Sequence, residues 1–157
     1  MKKIYIISGE ASGDLHAANL VSELKKQNNS LEFRAWGGDR LRNEGIIIDK
    51  DIKELAFMGF LEVLLNIRTI FKNIRSCKEN LLNFNPDLLI LVDYPGFNLR
   101  IAKWAKSQNI PVYYYISPQI WAWKESRIHL IKKTVERMYC ILPFEKDFFY
   151  KNECFLE

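Results

Sequence analysis

Lys3-Ile4-Tyr5-Ile6-Ile7-Ser8-Gly9-Glu10-Ala11-Ser12-Gly13-Asp14 is the stretch that decides the fold. Residues 3–8 hold the unbroken apolar, β-favouring run Ile4 to Ile7, the pattern of a strand buried on both faces. A glycine-bearing turn follows, then a helix-period segment over residues 13–27 with Leu15, Ala18, Leu20, Val21 and Leu24 on its apolar side. The alternation continues outward from there. Further strands are predicted at 31–36, 46–48, 87–92, 111–116 and 138–142, and helices at about 39–44, 60–83, 98–108, 124–136 and 144–152. Buried strands alternating with helices imply a parallel sheet covered on both sides, a doubly wound α/β domain spanning residues 1–157.

Composition agrees with such a core. The 157 residues are 48% hydrophobic and 27% charged, with 7 Gly and 5 Pro, which excludes disordered and collagen-like chains. Apolar runs such as Leu88 to Val92 fall far short of the ~18 residues that span a bilayer. Lys2 and Lys3 precede only Ile4 to Ile7, whereas a secretory signal needs roughly 7–15 apolar residues, so a cytosolic location is expected. Cys77, Cys140 and Cys154 lie far apart without a CxxC pair, which argues against a zinc site or a disulfide framework. The net charge of +4 permits a weak preference for anionic surfaces and does not call for nucleic acid.

In a doubly wound fold, chemistry sits beyond the carboxyl ends of the strands. The first such loop carries Gly9 and Gly13 but not the full GxGxxG of a dinucleotide site. Glu10 and Asp14 place negative charge where a pyrophosphate would sit, which disfavours NAD or FAD. The loop reads either as a tight turn with Ser12 as helix N-cap, or as a pocket whose carboxylates and serine hydrogen-bond sugar hydroxyls. Gly37-Gly38-Asp39-Arg40 reads as a turn and helix cap, with two glycines that allow close backbone approach. Asp49-Lys50-Asp51 matches the metal-holding DxD pattern but reads as a solvated turn beyond strand three.

Asp93 follows five apolar residues at the top of the fourth strand. A partly desolvated carboxylate there is a candidate general base with a raised pKa, or else it caps the Pro95-Gly96 turn. Asn98 either caps the next helix or orients a ligand. Beyond strand five, Gln119, Trp121 and Trp123 suit an aromatic cleft for sugar rings or acyl chains, with Lys124 and Arg127 near enough to serve a phosphate. The tyrosines Tyr113, Tyr114 and Tyr115 read as core, Tyr114 on the face opposite the other two. The segment 58–74 holds more apolar residues than one core stripe needs, flanked by a basic ridge of Arg68, Lys72 and Arg75. That suits a membrane surface or lipid entry, or a well-buried helix with a solvated basic side.

Taken together, G-E-A-S-G-D (9–14), G-G-D-R (37–40), M-G-F-x-E-V-L (58–64), D-x-P-x-F-N (93–98), Y-Y-I-S-P-Q-x-W-A-W-K (114–124) and P-F-E-K (143–146) resemble the lipid-A-disaccharide synthase family over essentially the whole chain. The resemblance implies a Rossmann-like domain, the N-terminal half of a two-domain GT-B-type inverting glycosyltransferase. It implies UDP-2,3-diacylglucosamine as donor, 2,3-diacylglucosamine 1-phosphate (lipid X) as acceptor, and release of UDP. No metal and no cofactor are implied, and the work is placed at the cytoplasmic face of the inner membrane. By this resemblance Asp93 is the base toward the acceptor 6-hydroxyl. Glu10, Ser12, Asp14, Met58, Glu62, Asn98, Gln119, Trp121 and Trp123 bind substrate, while Leu61, Leu64, Leu65, Arg68 and Lys72 meet membrane or acyl chains. The donor-binding residues of the family lie in a C-terminal domain beyond these 157 residues, so the chain alone is expected to be inactive. The alternatives are a non-enzymatic lipid- or membrane-binding module on the same fold, and a glycosyltransferase for a soluble acceptor. The apolar excess at 58–74 speaks against the second of these.

Overall fold

The structure, a computed structural model, describes residues 1–56, 67–118 and 127–151. At its centre is β1 (Lys3–Ser8), buried from Ile4 to Ser8 as its sequence requires. It pairs in parallel with β2 (Glu32–Gly37) on one side and β4 (Leu88–Val92) on the other. β3 (Ile47–Asp51) lies outside β2, β5 (Val112–Tyr115) beside β4, and β6 (Arg137–Tyr139) at the far edge. The order β3-β2-β1-β4-β5-β6 is that of a doubly wound Rossmann-like sheet, as expected.

The chain winds outward from β1 to β3, then returns to start again at β4. One face is covered by α1 (Ala11–Gln27) and α2 (Asp39–Asn43), which supply Ala17, Ala18, Val21 and Leu41 to the smaller core. The short α3 (Ile52–Ala56) follows β3. The other face is covered by α4 (Ile67–Phe84), α5 (Pro95–Ser107), α6 (Ile128–Thr134) and α7 (Pro143–Lys151). These bury Cys77, Leu81, Ile101, Ala105, Ile131 and Phe149 against the larger core. The reversal of winding between β1 and β4 opens a crevice at their carboxyl ends.

Four local expectations are corrected. Glu10, not Ser12, is the N-cap residue of α1, because the helix begins at Ala11; Ser12 stands in the first turn and donates to the Glu10 carboxylate at 3.2 Å. Leu15, assigned to the apolar side, is 41% exposed, and Ala17 occupies the core position instead. Asn98 is not a cap either: α5 starts at Pro95 with Tyr94 as N-cap. Asp49-Lys50-Asp51 is no solvated turn, since β3 runs through it, in register with Trp36 and Gly37 after a shift at Ala35/Trp36. The Asp49 side chain is 3% exposed, accepting from Arg34 Nε at 2.6 Å and Tyr5 Oη at 2.7 Å. Of the long helix expected at 60–83, residues 57–66 lie outside the described residues, and α4 accounts for 67–84.

Candidate active site

The β1–β4 register sets Ser8 beside Val92, so the loops that follow, with Glu10 and Asp93, leave the sheet as neighbours. Asp93 and Tyr94 both take left-handed backbone conformations, φ 45° and 47°. Such conformations cost about 1–3 kcal/mol per non-glycine residue and persist only where the surroundings impose them. The surroundings here are explicit. Tyr94 rests its ring on Gly9, where a β-carbon would come within 2.3 Å of Tyr94 Cγ, so position 9 must be glycine. The Asp93 N–H donates to the Tyr115 carbonyl at 3.3 Å. Asn98 Nδ2 donates to the carbonyls of Asp93 at 2.8 Å and Val92 at 3.2 Å, and the Tyr114 hydroxyl donates to the Asp93 carbonyl as well.

The Asp93 carboxyl is half-buried. Burial raises it above the ordinary carboxylate range, the Glu10 charge raises it further, and a hydrogen bond with Glu10 adds to both; the Tyr94 N–H opposes. Burial and the Glu10 charge also raise the Tyr94 phenol. Glu10 itself is exposed, on the solvent side of the crevice. A carboxylate poised this way, at a switch point, can take a proton from an incoming hydroxyl.

Asp14 does something else. It is 2% exposed and its oxygens accept from the backbone N–H groups of Gly38 (2.7 Å), Arg40 (2.9 Å) and Leu41 (3.4 Å). The carboxylate thus closes the N-terminus of α2 rather than facing the crevice. Gly37 and Gly38 are closely packed: a β-carbon at Gly37 would lie 2.5 Å from Leu41 Cδ1 and 3.1 Å from Asp14 Oδ1, and one at Gly38 would lie 2.7 Å from Ile52 Cδ1 and 2.8 Å from Asp14 Oδ2.

The expected aromatic cleft residues Gln119, Trp121 and Trp123, with Met58, Glu62, Leu61, Leu64 and Leu65, lie outside the described residues. On α4, Ile74, Cys77, Leu81 and Phe84 face the core. Arg68 and Lys72 are exposed, as is Phe71 between them (62%), whereas Arg75 pairs with Glu79. No helix among the described residues is long and apolar enough to cross a membrane.

Sequence reading gave Tyr114 a core position only, which it occupies, and passed over Tyr94. Tyr114 carried a signal: a tyrosine alternating onto the core face of a strand must find a partner for its hydroxyl. Tyr94 carried none, because its left-handed backbone is imposed from outside.

The comparisons with known proteins bear on family and fold. A lipid-A-disaccharide synthase of Myxococcus xanthus (strain DK1622) is 46% identical over 147 residues, covering 94% of this chain and 38% of that protein. Lipid-A-disaccharide synthase 1 of Legionella pneumophila (strain Philadelphia 1) is 47% identical over 151 residues, covering 96% and 39%. The chain therefore spans well under half the length of these relatives and corresponds to their N-terminal part. Among solved structures, UDP-GlcNAc 2-epimerase from Neisseria meningitidis, bound to UDP-GlcNAc, shares the fold with a TM-score of 0.59 at 20% identity, covering 89% of this chain and 40% of that one. The model of the family described as lipid-A-disaccharide synthetase matches residues 4–156, and the chain belongs to that family.

Proposed function

We propose that this domain is the acceptor-side, N-terminal half of an inverting glycosyltransferase of lipid A biosynthesis. In the whole protein it joins UDP-2,3-diacylglucosamine to 2,3-diacylglucosamine 1-phosphate, the donor being held by a further, C-terminal domain. The observation that carries the reading is the clamped, left-handed Asp93 beside Glu10 at the β1–β4 switch point. Asp93 takes the proton of the acceptor 6-hydroxyl as its oxygen attacks the donor anomeric carbon from the face opposite UDP. The new C–O bond forms as the bond to the diphosphate breaks, with its electron pair leaving on UDP. Family membership supports the substrate class, and a base held at such backbone cost favours an enzyme over a non-enzymatic lipid-binding module.

The test is direct. Full-length protein given both substrates is expected to release UDP and form the tetraacylated disaccharide 1-phosphate in equal amounts. UDP release without disaccharide, or no turnover with lipid X while a soluble sugar is accepted, overturns the reading.

Peripheral contact with the inner membrane belongs to the same proposal. Its support is the exposed Phe71 between Arg68 and Lys72 on α4, an apolar group flanked by cations. Basic residues at an anionic surface contribute roughly 1 kcal/mol each, so Arg68→Ser with Lys72→Ser is expected to weaken binding to phosphatidylglycerol-containing vesicles about 30-fold at low salt. Equal flotation of parent and variant would exclude this face from the contact.

A further inference from the structure

The base loop needs a lock, and the geometry points to Tyr114 as a positioning residue that holds Asp93 in its reactive orientation from the neighbouring strand. This rests on the assignment of Asp93 as the base. Tyr114 sits on β5 with its side chain wholly buried in the larger core, among residues such as Leu89 and Leu91. For packing alone a phenylalanine would serve there. The hydroxyl instead reaches the Asp93 carbonyl, 21 residues back along the chain.

That carbonyl also receives Asn98 Nδ2 at 2.8 Å. Both donors fall on the one peptide that follows Asp93, between two successive left-handed residues at φ 45° and 47°. Without these bonds the turn is free to leave its two left-handed conformations, and with them the backbone that sets the Asp93 carboxyl beside Glu10; turning the peptide would also leave a buried hydroxyl without a partner. Burial, then the charge of Asp93, keep the Tyr114 phenol protonated, so it remains a donor across the working pH range; the Asn98 hydrogen bond and Arg127 oppose only in part. Tyr113 and Tyr115 on the same strand pack against the other face of the sheet and cannot substitute.

The experiment is a double-mutant cycle in the full-length protein, read by steady-state kinetics with both lipid substrates. Tyr114→Phe removes one oxygen and keeps the ring. Because a displacement of about 1 Å at a reacting group costs on the order of 100-fold, kcat is expected to fall 10- to 100-fold with both KM values within twofold. In an Asp93→Asn background the same change is expected to leave the residual rate unaltered, since there is no carboxylate left to orient. Asn98→Ser, which removes the second donor, should reproduce both results and serves if Tyr114→Phe is recovered unfolded. A kcat for folded Tyr114→Phe within twofold of the parent overturns the proposal, as does an equal loss in the Asp93→Asn background. High turnover by Asp93→Asn itself would instead overturn the base assignment, so the two failures are distinguishable.

Discussion

Asp93→Asn in the full-length protein is expected to lower disaccharide formation roughly 100- to 10,000-fold, the range spanned by a positioned general base, while leaving the fold at least as stable as the parent. The two halves of this expectation come from one cause. Burial and Glu10 make the folded chain hold the Asp93 proton more tightly than the unfolded chain does. Between the ordinary carboxyl range and the raised value, the folded state therefore binds more protons, and stability falls as pH rises through that window. At neutral pH the ionised Asp93 is a burden on the fold, and the carboxamide removes it. Activity runs in the opposite direction. The base must be ionised, so the acid limb of kcat/KM lies above the usual carboxylate range. Glu10→Gln deletes the neighbouring charge and should move that limb to lower pH. Thermal melts and a pH–rate profile check both parts. Turnover by Asp93→Asn within tenfold of the parent sinks the base, and an unmoved limb in Glu10→Gln sinks the coupling.

The doubly wound class was legible because β1 and β4 are apolar on both faces, a pattern only a sheet covered on both sides permits. Asp93 was legible for a related reason: a carboxylate directly after such a strand stands at the mouth of the crevice. Its partnership with Glu10 was not, since it depends on the β1–β4 register, which no local pattern states. β3 was misread past Ile48 because its continuation is charged. Asp49 is tolerated inside because Arg34 and Tyr5, 15 and 44 residues away in sequence, supply the opposite charge and the donor. Ser12 was read as a cap because serine favours that position, yet the chain at Glu10 already has the extended cap conformation, with φ −152°. For Asp93 and Asp49 the local residue types were read correctly and a distant partner decided the outcome.

Asp14 extends that argument to the largest stability effect expected in the domain. Its sequence neighbours, GEASGD, suggest a ligand loop, but its carboxylate spans from α1 to α2 and serves three backbone donors. Asp14→Ala would leave the Gly38, Arg40 and Leu41 N–H groups without that acceptor and open a gap beside Gly37 and Gly38. The buried bond from Gly38 to the charged carboxylate contributes about 1.5–3 kcal/mol and the cap at Arg40 and Leu41 about 1, so a destabilisation of about 2.5–4 kcal/mol is expected. In a domain of this size that lowers Tm by roughly 10 °C. Asp14→Asn separates charge from shape: its carbonyl oxygen can keep the bond to Gly38, while its amide nitrogen meets the Arg40 N–H donor to donor. It should therefore fall between parent and alanine. Denaturant unfolding followed by circular dichroism measures all three. If Asp14→Ala unfolds within 1 kcal/mol of the parent, the carboxylate is not what joins the first loop to the second. The lost cap also reaches the reaction, because α1 begins at the Glu10 loop and is anchored through Asp14. A variant that folds but has lost this anchor should show a blunted acid limb even with Asp93 and Tyr114 intact.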